Sequence, residues 1–288
     1  MSPVLRPLAL ARSRRRVLAQ TLSAGFALAV QPIAASAELT DDSGLDAGPI
    51  EIPVPPGNLP GYRAVPRKPS GKLPVILVVH EIFGVHEHIR DVCRRLAKQG
   101  YFAIAPELFY RHGDVSQPSD VEEVKAIVGK AADRQVMSDL DATVALSKLD
   151  PRANAARLGI TGFCWGGRTT WLYATHNPDL KAGVAWYGRL TGERNQLRPR
   201  FPLDVVSDLR AGVLGLYGGK DKSIPLDDVE AMKKALSAST NPKAKASTIH
   251  VYPEAGHAFL ADYRPSFHAA SAKDGWKRQL AWFKQHGL

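Results

Sequence analysis

From residue 73 onward the chain alternates short apolar runs with segments whose apolar positions recur at helical spacing. "LPVILVVH" is apolar almost without interruption, the pattern of a strand buried on both faces of a sheet. "HIRDVCRRLAKQG" follows, with Ile89, Val92 and Leu96 on one helical face and a stop at Gly100. The strand "YFAIAP" comes next, and then two helices over "SDVEEVKAIVGK" and "QVMSDLDATVALSKL". The strand "RLGIT" leads into the helix "GRTTWLYATH", and "AGVAWYG" and "GVLGLYGG" read as two more strands. The helix "PLDDVEAMKKALSAS" has an acidic first turn, "STIHVYP" is the last strand, and a helix from Ala269 to Gly287 closes the chain. Ahead of this series, "IEIPV" and "GYRAVPRK" flank the turn-rich "PPGNLP" and predict an antiparallel pair. Repeated strand–helix alternation predicts an α/β fold, a mostly parallel central sheet with helices on both faces. The polar, Pro-containing stretch 189–210 is predicted as a long loop, a length that often marks function.

Composition narrows the class. The 288 residues are 44% hydrophobic and 23% charged, ordinary for a soluble globular protein with one sizeable core. The formal charge of +10 is unevenly spread, because residues 1–37 carry Arg6, Arg12, Arg14, Arg15 and Arg16 and no Asp or Glu. The remainder is only about +5 and has no basic stripe, so no nucleic-acid partner is expected. "SRRRVLAQ", the modest apolar run "TLSAGFALAV" and an A-x-A pattern at Ala35–Ala37 predict an export signal over 1–37 of the twin-arginine type. That run falls short of the roughly 20 residues that span a bilayer. The predicted organisation is a signal over 1–37, a polar linker over 38–49 and one domain over 50–288. The mature protein is expected to be periplasmic or secreted, without stable membrane anchoring. Only Cys93 and Cys164 occur, one in a predicted helix and one at a strand–helix corner, so no structural disulfide is expected.

The corner holding Cys164 reads "TGFCWGG", the G-x-C-x-G form of a nucleophile elbow. Small neighbours permit the tight turn, and the N-terminus of the following helix favours a thiolate. The backbone N–H of Trp165 is placed to donate to an oxyanion. A thiol nucleophile needs a base, and the base needs an orienting carboxylate. In a parallel sheet these come from the carboxyl ends of later strands, where Asp221 follows "GVLGLYGG" and His257 follows "STIHVYP". Alone, Asp221 also reads as a turn or capping residue. Glu81, just after "LPVILVVH", brings a carboxylate to the same sheet edge, and the amide of Ile82 is a second oxyanion donor.

Taken together, "LPVILVVHEIFG", "GFCWGG", "GLYGGKD" and "EAGHAF" resemble the dienelactone hydrolase (carboxymethylenebutenolidase) family over about residues 50–288. The resemblance implies an α/β-hydrolase fold with no large lid domain. It also implies a Cys164–His257–Asp221 triad, oxyanion amides at Ile82 and Trp165, and a Glu81 that exchanges partners with the thiol. No cofactor and no metal are implied, and a monomer acting on a small ester or lactone is expected. The turn "GHAFLADYRPS" departs from the family: Ala258 stands where a serine is familiar, and Ala261 where a substrate arginine would be. Arg264, three positions later, together with Tyr110 and Tyr187, are the candidate substrate contacts. The alternatives are a general carboxylesterase or thioesterase, or a catalytically silent scaffold.

Overall fold

The computed structural model describes residues 39–115 and 121–288; the expected export signal over 1–37 lies outside the described residues. The strands are β1 (Leu45–Pro53), β2 (Asn58–Pro66), β3 (Leu73–Val79), β4 (Phe102–Pro106), β5 (Ala153–Phe163), β6 (Leu180–Trp186), β7 (Gly212–Gly218) and β8 (Thr248–Tyr252). They form one sheet in the order β1-β2-β4-β3-β5-β6-β7-β8. β1 pairs antiparallel with β2, and β2 with β4, whereas every other neighbouring pair is parallel. The helices are α1 (Glu87–Lys98), α2 (Val121–Lys130), α3 (Asp133–Ser147), α4 (Trp165–His176), α5 (Leu226–Ala238), α6 (Pro242–Ala246) and α7 (Ala269–Gln285).

Both faces of the sheet are covered, as two glycines of β5 show. A Cβ on Gly159 would meet Phe283 of α7, and one on Gly162 would meet Gly166 and Thr170 of α4. The two positions differ by an odd number of residues, so they face opposite sides of the strand. This explains why β3 carries no polar alternation: Val75 through Val79 are all fully buried. The chain leaves β3 for β4 on one side and later returns to place β5 on the other. The carboxyl ends of β3 and β5 therefore flank a topological switch point, where open α/β sheets leave a crevice.

Two segments differ from the sequence expectation. The stretch 38–49 is not a free linker within its described part, since β1 begins at Leu45 and that side chain is buried. Its polar residues are partners: Asp46 pairs with Arg63 and Arg152, each at 2.8 Å, and Thr40 N–H donates to Asp91 of α1 at 2.6 Å. The long 189–210 loop contains a 3-10 turn, Pro202–Asp208, begun by a proline and capped at its start by Phe201 N–H donating to Asp204 at 2.8 Å. Its Leu190, Val205 and Val206 are buried, so the loop is a packed element despite its polar composition.

Candidate active site

β5 ends at Phe163 and α4 begins at Trp165, which leaves Cys164 alone to make the corner. Its φ of 55° and ψ of −111° are costly for any residue with a Cβ, roughly 1–3 kcal/mol, and persist only where the surroundings impose them. Those surroundings are specific. Cys164 N–H donates to Trp186 O at 3.0 Å, while its carbonyl accepts from Gly167 and Arg168. The flanking glycines are required by contact: a Cβ on Gly162 would sit 2.1 Å from Gly166 O, and one on Gly166 would sit 2.3 Å from Val79 O. Strand and helix thus touch backbone to backbone, and the thiol is pushed out at the sheet edge.

The structure brings the sequence-predicted partners to this corner. His257, in the loop after β8, has Nδ1 at 2.7 Å from Asp221 Oδ2, in the loop after β7. Asp221 Oδ1 accepts from Ser223 N–H at 2.7 Å, so the carboxylate is held from both sides. The Cys164 sulfur also lies close enough to the imidazole to interact with it electrostatically. Burial opposes charge on His257, but the sulfur and Asp221 outweigh it and push its pKa up to about 10. Ala258, directly after the histidine, takes a φ of 58°, which turns the chain sharply back into the fold.

Glu81 is buried and its Oε2 is crowded. Tyr263 Oη donates to it at 2.8 Å, an Arg264 guanidinium nitrogen at 3.1 Å, and His86 Nε2 lies at 3.3 Å. Burial disfavours the charge, yet Arg264 and His86 hold the carboxyl well below the usual carboxylate range. Its other oxygen, Oε1, is buried without a hydrogen-bond partner. Glu81 is thus engaged with three other groups. Arg264 completes this cluster, its guanidinium lying 5.1 Å from the Phe83 ring centroid and 5.2 Å from that of Tyr263.

Of the remaining predicted residues, Tyr187 enters the site and Tyr110 does not. Tyr187 is fully buried with a φ of 38°, its ring 5.2 Å from that of His257 and its hydroxyl unpartnered. Burial raises its phenol pKa well above the usual value. Tyr110 is 57% exposed, and it is its neighbour Phe109 that packs against Trp165, at 4.7 Å. This corrects the expectation of Tyr110 as a pocket wall: the turn after β4 buries Phe109 and sends the Tyr110 side chain outward. The amide of Trp165 is the first of α4 and so has no acceptor within the helix. Ile82 is the third residue past the end of β3.

Sequence reasoning did not single out His80, His86 or Tyr263. A signal existed for His80, the one polar residue closing a run of apolar ones. Buried imidazoles must find partners, and this one bonds both Glu81 O and Leu108 N–H. Among the described residues no group of three or more His, Cys, Asp and Glu is arranged to hold a metal ion, and no helix is long and apolar enough to cross a membrane. A surface cavity of about 550 Å³, lined by Leu39, Arg95, Phe267, Lys273 and Trp276 among others, includes none of Cys164, His257 and Asp221.

Comparison with known proteins agrees with the fold. A sequence profile described as the dienelactone hydrolase family matches residues 59–287. A protein of Methylorubrum extorquens strain AM1 is 59% identical, the match covering 96% of this chain and 94% of its own. One of Escherichia coli strain K12 is 54% identical over 94% of this chain and 98% of its own. Both bear the name "Putative carboxymethylenebutenolidase". A crystal structure from Klebsiella pneumoniae, titled as a dienelactone hydrolase of the same standing, is 55% identical with a TM-score of 0.80, covering 84% of this chain and 99% of that one.

Proposed function

The chain belongs to the dienelactone hydrolase family, whose members hydrolyse ester and lactone bonds, and from that premise we propose that it does so with Cys164 as nucleophile in a Cys164–His257–Asp221 triad. The observation that carries the proposal is the strained corner that presents Cys164 to a histidine whose far nitrogen is anchored on Asp221 at 2.7 Å. In this mechanism Sγ attacks the carbonyl carbon, and the C=O electron pair becomes an oxyanion bound by the amides of Ile82 and Trp165. The tetrahedral intermediate collapses as His257 gives its proton to the departing alkoxide, leaving a thioester. His257 then takes a proton from water, hydroxide adds to the thioester, and the acid and the thiolate are released. Glu81 poises the sulfur: its charge, balanced by Arg264, sits within electrostatic reach of the site and disfavours a second anion there.

The substrate is a small ester or lactone. Arg264 is the cation we assign to a substrate carboxylate, and Tyr187 Oη, buried and unpartnered, is a donor to a polar substrate group. A second reading, a carboxylesterase or thioesterase of neutral substrates, draws support from Arg264 being committed to Glu81. Turnover of cis- and trans-dienelactone against p-nitrophenyl esters of rising chain length separates the two. Lactone hydrolysis is expected, and strong ester turnover with none on either lactone moves the function to the second reading. Chemical labelling tests the nucleophile. Burial pushes the Cys93 thiol up, far from thiolate, so iodoacetamide is expected to modify Cys164 at least roughly a hundredfold faster. Equal, slow labelling of the two would overturn the assignment.

We further propose that residues 1–37 export the folded domain by the twin-arginine route to the periplasm, where it acts as a monomer. Replacing Arg14 and Arg15 together by lysine is expected to retain the full-length protein in the cytoplasm. Unchanged recovery of a shortened protein in the periplasmic fraction would overturn it.

A further inference from the structure

We propose that His80 is a positioning residue for the oxyanion hole, gripping the Glu81–Ile82 peptide so that its N–H faces the reacting carbonyl; the inference rests on the roles given to Cys164 and Ile82 above. His80 is fully buried, at the first position past β3. Leu108 N–H donates to its Nε2 at 3.0 Å, which makes that nitrogen the acceptor and puts the ring hydrogen on Nδ1. Nδ1 lies 2.6 Å from Glu81 O and donates to it. A Glu107 oxygen is also 3.4 Å from Nε2, but the Glu107 carboxylate is taken up elsewhere, by Val85 N–H at 2.6 Å and Phe109 N–H at 3.4 Å.

The carbonyl that His80 holds belongs to the same peptide unit as the Ile82 N–H. In a trans peptide the two point in opposite directions, so fixing one from the interior aims the other outward. A hydrogen bond to the carbonyl also polarises the unit and strengthens its N–H as a donor, by about 10–30% in chains of such bonds. The same imidazole lies nearly parallel to the indole of Trp165, with centroids 5.8 Å apart and planes 12° apart, and meets Phe109 edge-on at 4.8 Å. One buried side chain thus touches both halves of the proposed hole: the peptide that supplies the first amide and the side chain of the residue that supplies the second. A histidine serving only to fill the core has no reason to contact both.

The test separates orientation of the donor from general support of the fold. His80→Phe keeps the ring packing and removes both hydrogen bonds. For p-nitrophenyl acetate its kcat is expected to fall about tenfold to a hundredfold, somewhat less than outright loss of an oxyanion donor. KM should stay within about threefold, because the donor acts on the transition state rather than on bound substrate. Alkylation of Cys164 by iodoacetamide builds no oxyanion and should keep its rate within about twofold. His80→Asn returns an N–H near the Nδ1 position and is expected to bring kcat back to within about fivefold of the native value. His80→Gln, whose amide reaches toward the Nε2 position, should stay slow; if the Phe variant does not fold, the Asn–Gln pair decides alone. A kcat within threefold for His80→Phe, an Asn variant no faster than Gln, or alkylation slowing in step with kcat each overturns the proposal. Cys164→Ala assayed alongside keeps the two ideas apart. Full turnover by that variant sinks the cysteine mechanism itself, whereas an inactive Cys164→Ala beside a fully active His80→Phe sinks only the role of His80.

Discussion

Replacing Cys164 by alanine is expected to lower kcat/KM for p-nitrophenyl acetate by about 10⁴-fold or more, with the melting temperature moved by no more than a few degrees. Alanine keeps the Cβ, and the contacts that force the corner run through backbone: Cys164 N–H to Trp186 O, and the close approach of Gly166 to Val79. The elbow therefore survives without its sulfur. What remains is a histidine and two amides, which orient a substrate but supply no nucleophile. The strain offers a second readout. Glycine tolerates a φ of 55° freely, so Cys164→Gly should be as inactive as the alanine variant and at least as stable, despite glycine's larger entropy in the unfolded chain. Conversion of the native enzyme to a thioester on acyl donors, seen by mass at Cys164, is the positive counterpart. Turnover retained by the alanine variant, with the protein folded, would overturn the assignment.

The four candidate positions were readable because each lies in the first few residues after a strand: Glu81 after β3, Cys164 after β5, Asp221 after β7 and His257 after β8. In a parallel sheet those strands all end at one edge, so strand recognition alone nearly converts chain order into proximity. The residues that tune the chemistry have no such rule. Tyr263 and His86 meet at Glu81 Oε2 although one lies 182 residues from it and the other five, and neither belongs to a periodic pattern. Arg264 was readable as a nearby cation but not as the partner of Glu81, because that pairing depends on the turn that Ala258 makes with positive φ. Tyr110 and Tyr187 carry the same residue type at the ends of strands and part company through backbone direction, one 57% exposed and the other fully buried. The start of the domain was missed for a different reason. Asp46 and Thr40 read as linker by composition, and only the cations and carboxylate that they meet across the fold make them structural.

Glu81→Gln is expected to cost about 3 kcal/mol of stability, because removing one partner of a buried ion pair leaves the other charge uncompensated. For a domain of this size that is a fall of about 6–12 °C in Tm. Glutamine can still accept from Tyr263, but Arg264, with a side chain only 12% exposed, loses its counterion. The pH dependence identifies the cause. Glu81 is held below its usual pKa of 4.5, so its stabilisation is complete above that value and disappears as pH falls through the folded-state value. The Tm gap between native and variant should therefore be flat from pH 6 to 9 and close below about pH 4.5. His257 runs the other way: raised from 6.5 to about 10, it stabilises fully below 6.5 and loses its contribution as pH rises through 10. That contribution is common to both proteins and cancels in the gap. A second effect follows from the same charge. With the carboxylate neutralised, Arg264 acts on the sulfur unopposed, so the iodoacetamide pH profile of Cys164 should move to lower pH even as the protein becomes less stable. A purely structural role for Glu81 predicts the loss of Tm with no movement of that profile, and a solvated role predicts neither. Faster alkylation in a less stable protein is the signature of a carboxylate that restrains the thiolate while holding its arginine in place.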